Sequence, residues 1–296
     1  MSKKEPFIAT LLKGRYSLFR AWYKFSRNPL SIVGLIIFFL IVSAAIFAPF
    51  ITPYPEHAEP YTNFSDSSKP PSLTYFFGTD GVGRDIFTLI IFGYRFSLIL
   101  VIIVISLSCP FGVALGLIGG YYQRTWIGII IMRITDVFIA LPPLVLALAI
   151  AAMLNPSLIN QMVAISFVWW TWYCRLTYAI TTSLCQENFV HEVKLSGASD
   201  MHIIFREIFP HCINSIFMKI TLDIGWIMKI GASLSFIGLG AQPPKADLGS
   251  MVADGARRLP NEWWASLFPV IALVLIIVVC NFIGDGLRDM FVVREV

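Results

Sequence analysis

The sequence predicts an all-α integral membrane protein with six transmembrane helices, and three observations support this fold class. Of its 296 residues, 57% are hydrophobic and 14% are charged, whereas soluble domains carry about 25% charged residues. The mean hydropathy is +0.74. Six stretches reach or approach the roughly 20 apolar residues that a helix needs to cross the hydrocarbon core. These stretches are continuously apolar, which excludes the alternating pattern of a membrane β-barrel.

The six predicted spans cover residues 30–50, 96–120, 127–154, 158–178, 213–239 and 265–284. The first is too long for a secretion signal and follows a polar, basic segment, so we expect an uncleaved anchor. Pro110 in the second span and Pro142 and Pro143 in the third predict bent helices around a pathway. Near the inner end of the fourth span, we expect an interfacial aromatic belt made of Trp169, Trp170, Trp172 and Tyr173.

Lysine and arginine residues indicate the orientation of the spans. Seven precede the first span: Lys3, Lys4, Lys13, Arg15, Arg20, Lys24 and Arg27. With that end inside, the cytoplasmic segments hold twelve Lys and Arg and the external loops hold six, so we predict both termini in the cytoplasm. The predicted organisation is a cytoplasmic segment 1–29, the first span 30–50, an external loop 51–95, a membrane core 96–290 that includes a cytoplasmic loop 181–210, and a tail 291–296.

The loop 181–210 has the pattern of a folded structure. Gly197 interrupts it, Ser199 is a suitable helix N-cap, and Asp200 follows in the first turn, where negative charge is favourable. An apolar stripe then recurs at helical spacing: Met201, Ile204, Phe205 and Ile208. Pro210 is expected to end the repeat. The prediction is a helix, a glycine turn and a short amphipathic helix whose apolar stripe must be buried.

The chemistry of the polar positions indicates what buries this stripe. A helix that lies on lipid headgroups is expected to have a basic polar face. Here the polar positions are mixed, with Asp200, Arg206 and Glu207. A groove on a protein is therefore the favoured partner, and a lipid surface is the alternative.

Charged residues within the predicted spans are informative, because charge there is costly unless it faces a cavity or a partner. Lys219, Asp223 and Lys229 lie in the fifth span, and the first two are four residues apart on one face. Arg133 and Asp136 lie in the third, with Arg133 close enough to the inner surface to snorkel. Two interpretations stay open: pairs that stabilise the bundle, or groups that line a hydrated path.

Residues 78–83 have the glycine spacing of a phosphate-binding loop. Arg84 and Asp85 replace the lysine and hydroxyl residue that would hold phosphate and magnesium. We instead expect Asp80 and Arg84 to form a local ion pair four residues apart.

Several motifs resemble those of the permeases of ABC importers. In the cytoplasmic loop the resemblance to the family's "EAA" loop rests on Gly197, Ala198, Ser199, Asp200, Ile203, Ile204, Phe205, Arg206 and Pro210. His191-Glu192-Val193 stands where the family has Glu-Ala-Ala. Four further segments resemble the dipeptide, oligopeptide and nickel branch: GTD and GRD within 78–85, GYRFSL at 93–98, LSFIGLG with QPP within 234–244, and NFIGDGLRD at 281–289. Within that branch the chain is similar to the second, six-span permease of each pair.

This resemblance implies a type I ABC importer permease fold in a bacterial inner membrane. It implies three kinds of protein partner: a second homologous permease, two ATP-binding cassette subunits and an external substrate-binding protein. Contact with membrane lipid is also implied, and binding of nucleic acid is not expected. ATP and Mg would be bound by the ATPase subunits, so no cofactor and no catalysis are expected on this chain. The implied ATPase-coupling residues are His191, Glu192, Gly197, Ala198, Ser199, Asp200, Met201, Ile204, Phe205, Ile208 and Pro210.

The expected cargo is a short peptide. Nickel or a metal chelate is the alternative within the family. A secondary transporter is the alternative from another class, although such a protein is expected to contain an internal repeat, and none is visible here.

Overall fold

The computed structural model describes residue 23, residues 25–245 and residues 247–291. Most of the predicted segment 1–29, and the tail beyond residue 291, lie outside this part. The helices are α1 Pro29–Ile46, α2 Ala48–Ile51, α3 Ile86–Tyr121, α4 Trp126–Ile139, α5 Pro143–Ala152, α6 Leu158–Leu184, α7 Asn188–Leu195, α8 Asp200–His202, α9 Phe209–Phe236, α10 Leu248–Ala256 and α11 Trp263–Phe291. A π-helical segment, Ile203–Ile208, joins α8 to α9, and short 3-10 turns occupy Pro55–Ala58 and Phe64–Asp66.

The helical fold class is confirmed. Three helices are apolar and long enough to cross a membrane, namely α1, α3 and, over Trp263–Met290, α11. The bent pair of α4 and α5 makes a fourth if it counts as one span. Helices α6 and α9 have 27 and 28 residues, which suffices in length, but their composition is more polar. The count of six spans therefore remains a prediction.

The third predicted span is divided in two. Helix α4 ends at Ile139, α5 begins at Pro143, and their axes differ by 89°. Pro142 is extended, with ψ 128°, because a residue that precedes a proline is driven out of the helical region. The bend predicted at Pro142 and Pro143 is confirmed and is sharp. Pro110, in contrast, does not interrupt α3, which is helical from Ile86 to Tyr121.

Helix α3 packs closely along α6 through glycines at every fourth position. A Cβ atom added at Gly112 would lie 2.2 Å from the carbonyl oxygen of Trp170, and one at Gly116 would lie 1.9 Å from Oγ1 of Thr177. Such a row of small residues allows two helix backbones to approach within a membrane. The aromatic residues of α6 belong partly to this contact, since Tyr173 is fully buried.

The aromatic belt predicted on α6 is therefore wrong for three of its members. Trp169, Trp170 and Tyr173 have exposed fractions of 4%, 6% and 0%, so they lie in the helix bundle and not at a membrane interface. Trp172 lies at the edge of this buried side and is accessible. The prediction failed because α3 packs against the side of α6 that carries Trp170 and Tyr173, and the sequence does not show which side of a span its neighbours cover.

The segment between α2 and α3 is an ordered cap over one end of the bundle. Asp85 is the N-cap of α3 and accepts hydrogen bonds from the backbone N–H and the hydroxyl of Thr88 at 2.8 and 2.7 Å. Nδ1 of buried His57 accepts from the backbone N–H of Asp85 at 2.8 Å. The predicted pair is confirmed, with Nε of Arg84 2.8 Å from Oδ2 of Asp80. Helix α3 thus begins at residue 86, so the last ten residues of the predicted external loop 51–95 are helical.

Candidate coupling segment and intramembrane charges

Residues 188–210, here called the coupling segment, begin with α7 and a glycine turn. Gly197 has φ +86°, a backbone conformation that favours glycine. Its N–H donates to the carbonyl of Lys194 at 3.1 Å, and the N–H of Ala198 donates to that of Val193 at 3.4 Å. These two bonds form a Schellman motif, which satisfies the last carbonyls of a helix. The glycine break predicted from the sequence is confirmed.

The second part of the coupling segment starts as predicted but does not stop as predicted. The hydroxyl of Ser199 accepts from the backbone N–H of His202 at 3.4 Å and caps the helix. The chain then remains helical through Pro210 into α9, so the expected helix end there is wrong. The N–H of Phe209 bonds five residues back, to the carbonyl of Ile204. This wider π turn accommodates a proline, which has no N–H to donate and crowds a regular α-helical turn.

The four-residue apolar stripe is divided between the interior and the surface. Ile204 and Ile208 are fully buried in this chain's own core, so the prediction that they contact a partner is wrong. Met201 and Phe205 are 55% and 47% exposed. The π turn rotates the two pairs away from each other, because it adds a residue to the turn.

The accessible part of the coupling segment includes three exposed apolar side chains and several polar ones. Leu195 is 88% exposed and joins Met201 and Phe205 on the surface. These three residues are called the exposed patch below. The side chains of His191 and Glu192 are also exposed, and Ala198 is partly buried against the core.

Asp200 connects the coupling segment to α3. Its two carboxylate oxygens accept hydrogen bonds from the hydroxyls of Tyr121 and Tyr122, each at 2.7 Å. These two hydrogen bonds lower the pKa of Asp200. Both tyrosines lie at the end of α3, and the sequence analysis missed them. Two neighbouring tyrosine hydroxyls at the end of a span indicate a polar contact there. Only the fold shows which carboxylate accepts their hydrogen bonds.

The charged residues of the predicted spans form two ion pairs. Lys219 is paired with Asp223 on α9, as the spacing predicts, and Asp223 is only 1% exposed. Asp136 of α4 is paired with Arg175 of α6, with 2.9 Å between Oδ1 and Nη2. Its neighbour Arg133 is exposed and is not its partner. Arg175 was overlooked, although the rule that charges within spans are functional or paired would have found it.

Lys229 differs from the other charged residues of the spans. Among the residues that the structure describes, no carboxylate lies within ion-pair distance of its ammonium group. Its Nζ atom lies 4.0 Å from the centre of the Trp226 ring. The contact is a cation–π interaction, which stabilises the charge without neutralising it.

A recess of about 500 Å³ opens at the end of the bundle opposite the coupling segment. It lies between the cap that precedes α3 and the chain around α10, and charged residues of both signs line it: Asp80, Arg84, Asp254 and Arg258. Arg84 bridges the two sides, because its Nη1 donates to the carbonyl of Pro244 at 3.2 Å.

The chain is similar to known transport proteins. Residues 112–295 match the family model described as "binding-protein-dependent transport system inner membrane component", and residues 17–71 match "N-terminal TM domain of oligopeptide transport permease C". The dipeptide transport system permease protein DppC of Alkalihalophilus pseudofirmus is 41% identical over 91% of this chain and 87% of its own length.

Two further relatives are similar over most of their length. The di/tripeptide transport system permease protein DppC of Pseudomonas aeruginosa is 35% identical over 90% of this chain and 89% of its own length. The glutathione transport system permease protein GsiD of Escherichia coli is 36% identical over 90% and 88%. The predicted resemblance is confirmed, and the chain belongs to the family of binding-protein-dependent transport system inner membrane components.

Proposed function

We propose that this chain is the second, six-span permease of an ATP-driven importer that carries short peptides across a bacterial inner membrane. The observation that carries the proposal is the similarity, at 35% identity or more over most of each chain, to permeases named for dipeptides, di/tripeptides and glutathione. Those names favour peptides over nickel or metal chelates. Membership of the family argues against a secondary transporter.

The proposed topology has six spans, formed by α1, α3, the bent pair of α4 and α5, α6, α9 and α11. Both termini and the coupling segment then lie in the cytoplasm, and the cap before α3 lies outside. The lysine and arginine bias of the sequence supports this orientation. The recess near Arg84 would face the external binding protein.

The proposed partners are a second homologous permease and two ATP-binding cassette subunits, with ATP and Mg bound by the latter and no nucleic acid involved. The exposed patch of the coupling segment would enter a cleft on one ATPase subunit. Movement of that subunit would pull on Asp200, and its hydrogen bonds to Tyr121 and Tyr122 would pass the movement to α3. That helix reaches the opposite end of the bundle at Ile86.

Uptake by the complete complex tests the proposal. The complex, reconstituted in vesicles with its binding protein, should accumulate di- or tripeptides when ATP is supplied, and nickel chelates should not compete. Uptake of a nickel chelate, with no uptake of di- or tripeptides, would contradict the assignment.

The role of the coupling segment has its own test in a pair of substitutions. Phe205→Asp places a charge on an exposed position, so the chain should reach the membrane normally but lose its ATPase subunits on purification. Ile204→Asp buries a charge in the core, so the chain itself should be lost from the membrane. Retention of the ATPase subunits by Phe205→Asp would show that the exposed patch is not their contact.

A further inference from the structure

Three charged residues of different helices lie at one depth in the bundle. Asp136 is ten residues from the start of α4, Arg175 is nine from the end of α6, and Lys219 is ten from the start of α9. All three helix ends are next to the coupling segment. At a rise of about 1.5 Å per residue, the charges lie about 15 Å from that end. This is half of the thickness of a hydrocarbon core of roughly 30 Å.

These charged groups are accessible on the surface of the chain. The side chains of Arg175 and Asp136 are 51% and 40% exposed, and that of Lys219 is 25% exposed. Charged groups at the centre of a bilayer are costly when they face lipid, and they usually face a water-filled cavity or a partner. This side of α6 and α9 therefore does not face lipid.

Exposed aromatic rings lie between these cations and continue the same surface. Trp172 precedes Arg175 by one helical turn on α6, and its ring centre is 5.6 Å from Nζ of Lys219. On α9, Trp226 and Lys229 lie seven and ten residues beyond Lys219, which keeps them on the same side of the helix. The rings of Trp172 and Trp226 are 36% and 56% exposed. The name cationic face is used below for Trp172, Arg175, Lys219, Trp226 and Lys229.

Lys229 is the cation of this face that has no counter-ion among the described residues. Lys219 is paired with Asp223, and Arg175 with Asp136, whereas the ammonium group of Lys229 contacts Trp226 alone among the charged and aromatic groups that the structure describes. It lies ten residues, or about 15 Å, beyond Lys219 towards the outer end. An anion that enters from outside would meet Lys229 first.

We propose that the cationic face lines the translocation pathway and that Lys229 binds the C-terminal carboxylate of a peptide in transit. The inference rests on the proposed function and specifies the part of the peptide that is recognised. A carboxylate is the anion that every unmodified peptide carries, and it is complementary to an unpaired ammonium group. An acidic residue of the second permease is a poorer fit, because the centres of protein interfaces are depleted of charged residues, and this face also holds the cations of two ion pairs, Arg175 at 51% and Lys219 at 25% exposed, beside Lys229.

The test compares a neutral tripeptide as its free acid with the same tripeptide as its C-terminal amide. Uptake of both is measured in vesicles that contain the complete complex and one and the same binding protein. The preference of the binding protein contributes equally to every variant, so it cancels when the acid-to-amide ratio of a variant is divided by that of the wild type. We expect Lys229→Gln to lower this ratio about tenfold, since a charge-assisted hydrogen bond is lost.

Three further variants make the result specific. Lys229→Arg keeps the charge and should keep the ratio. Lys245→Gln, the same change at an exposed lysine beyond the end of α9, should leave the ratio unchanged. Lys229→Met is a second neutral variant. Neither neutral variant should impair insertion, because each removes a charge from a span.

The inference is overturned if the acid-to-amide uptake ratio of both neutral variants equals that of the wild type. An equal fall in the uptake of acid and amide is one such result. Loss of the second permease from the purified neutral variants would also overturn it, because the occupant of the cationic face would then be that subunit. If the wild-type complex takes up neither tripeptide, the proposed function itself fails, and the inference fails with it.

Discussion

Asp200 joins parts of the chain that are 79 and 78 residues apart in sequence, through its bonds to Tyr121 and Tyr122. Hydrogen bonds to a charged acceptor are stronger than neutral ones, and solvent exposure reduces each here to about 1 kcal/mol. Two of them make Asp200 the polar joint between the coupling segment and α3. This residue therefore positions α3 relative to the segment.

Loss of the hydrogen bonds between Asp200 and the two tyrosines should uncouple transport from ATP hydrolysis. We expect Asp200→Ala, and also the double change of Tyr121 and Tyr122 to Phe, to retain the ATPase subunits but to lose the stimulation of hydrolysis by loaded binding protein. Glu192→Gln, which neutralises an exposed acid of the same segment, is the matched control. Normal stimulation in both of the first two variants would contradict a role for this joint.

Substitutions at Gly197 and Gly238 can separate the effect of backbone strain from the effect of contact with a partner. Among the residues that the structure describes, no atom lies within 4 Å of a Cβ added at Gly197, with φ +86°, or at Gly238, with φ +95°. A side chain at either position therefore costs roughly 1 kcal/mol of backbone strain and no clash. Gly238 lies at the other end of α9, away from the coupling segment.

We expect Gly197→Arg to lose the ATPase subunits on purification, or to retain them without stimulated hydrolysis, because the side chain would hold the segment away from its partner. Gly238→Arg carries the same strain and should retain them. The measurement is the ratio of ATPase subunit to permease in the purified complex. Equal ratios for the two variants would mean that no partner contacts Gly197.

At the level of the helices, the close packing of α3 on α6 is the contact that holds the centre of the bundle. It depends on glycine where the two backbones meet. Gly116 faces Thr177 and the carbonyl of Cys174, whereas Gly119, on a neighbouring side of α3, has Cγ2 of Ile131 as the nearest atom to an added Cβ, at 3.3 Å.

The two glycines should therefore differ in their tolerance of alanine. Gly116→Ala would place its Cβ 1.9 Å from Oγ1 of Thr177 and 2.4 Å from the carbonyl oxygen of Cys174, so the helices must separate at a cost of about 1–3 kcal/mol. Gly119→Ala should have little effect. Thermal unfolding of the purified protein in detergent measures both, and equal midpoints would contradict the packing described here.

On the scale of the whole molecule, the two ends of the bundle should face different compartments. Leu73, in the cap before α3, is 94% exposed, and Asn188, at the start of the coupling segment, is also exposed. Both sites are accessible to a labelling reagent if the membrane does not intervene.

Single cysteines at these two positions test the orientation. In a version without the five native cysteines, Cys109, Cys174, Cys185, Cys212 and Cys280, an impermeant thiol reagent should label Leu73→Cys but not Asn188→Cys in intact cells. Both should react after the membrane is permeabilised. Labelling of Asn188→Cys in intact cells would reverse the proposed topology.

Local features of this protein could be predicted from the sequence alone. The helical class follows from the apolar stretches, and the family follows from motifs along the chain. The glycine turn at Gly197, the N-cap Ser199, the bend at Pro142 and Pro143, and the pairs Asp80–Arg84 and Lys219–Asp223 each depend on residues within a few positions of each other. Backbone sterics, helix capping and i,i+4 spacing act over that range. For these features the residues themselves contain the necessary information.

Only the tertiary structure decided which distant residues meet. It pairs Asp136 with Arg175 and not with Arg133, joins Asp200 to Tyr121 and Tyr122, and buries Ile204 and Ile208 in the chain's own core. An apolar stripe or a charged group has the same sequence pattern whether it is buried by its own chain or by a partner. The difference depends on how α3, α4, α6 and α9 pack, and a single turn of π-helix is enough to change which side chains reach the surface.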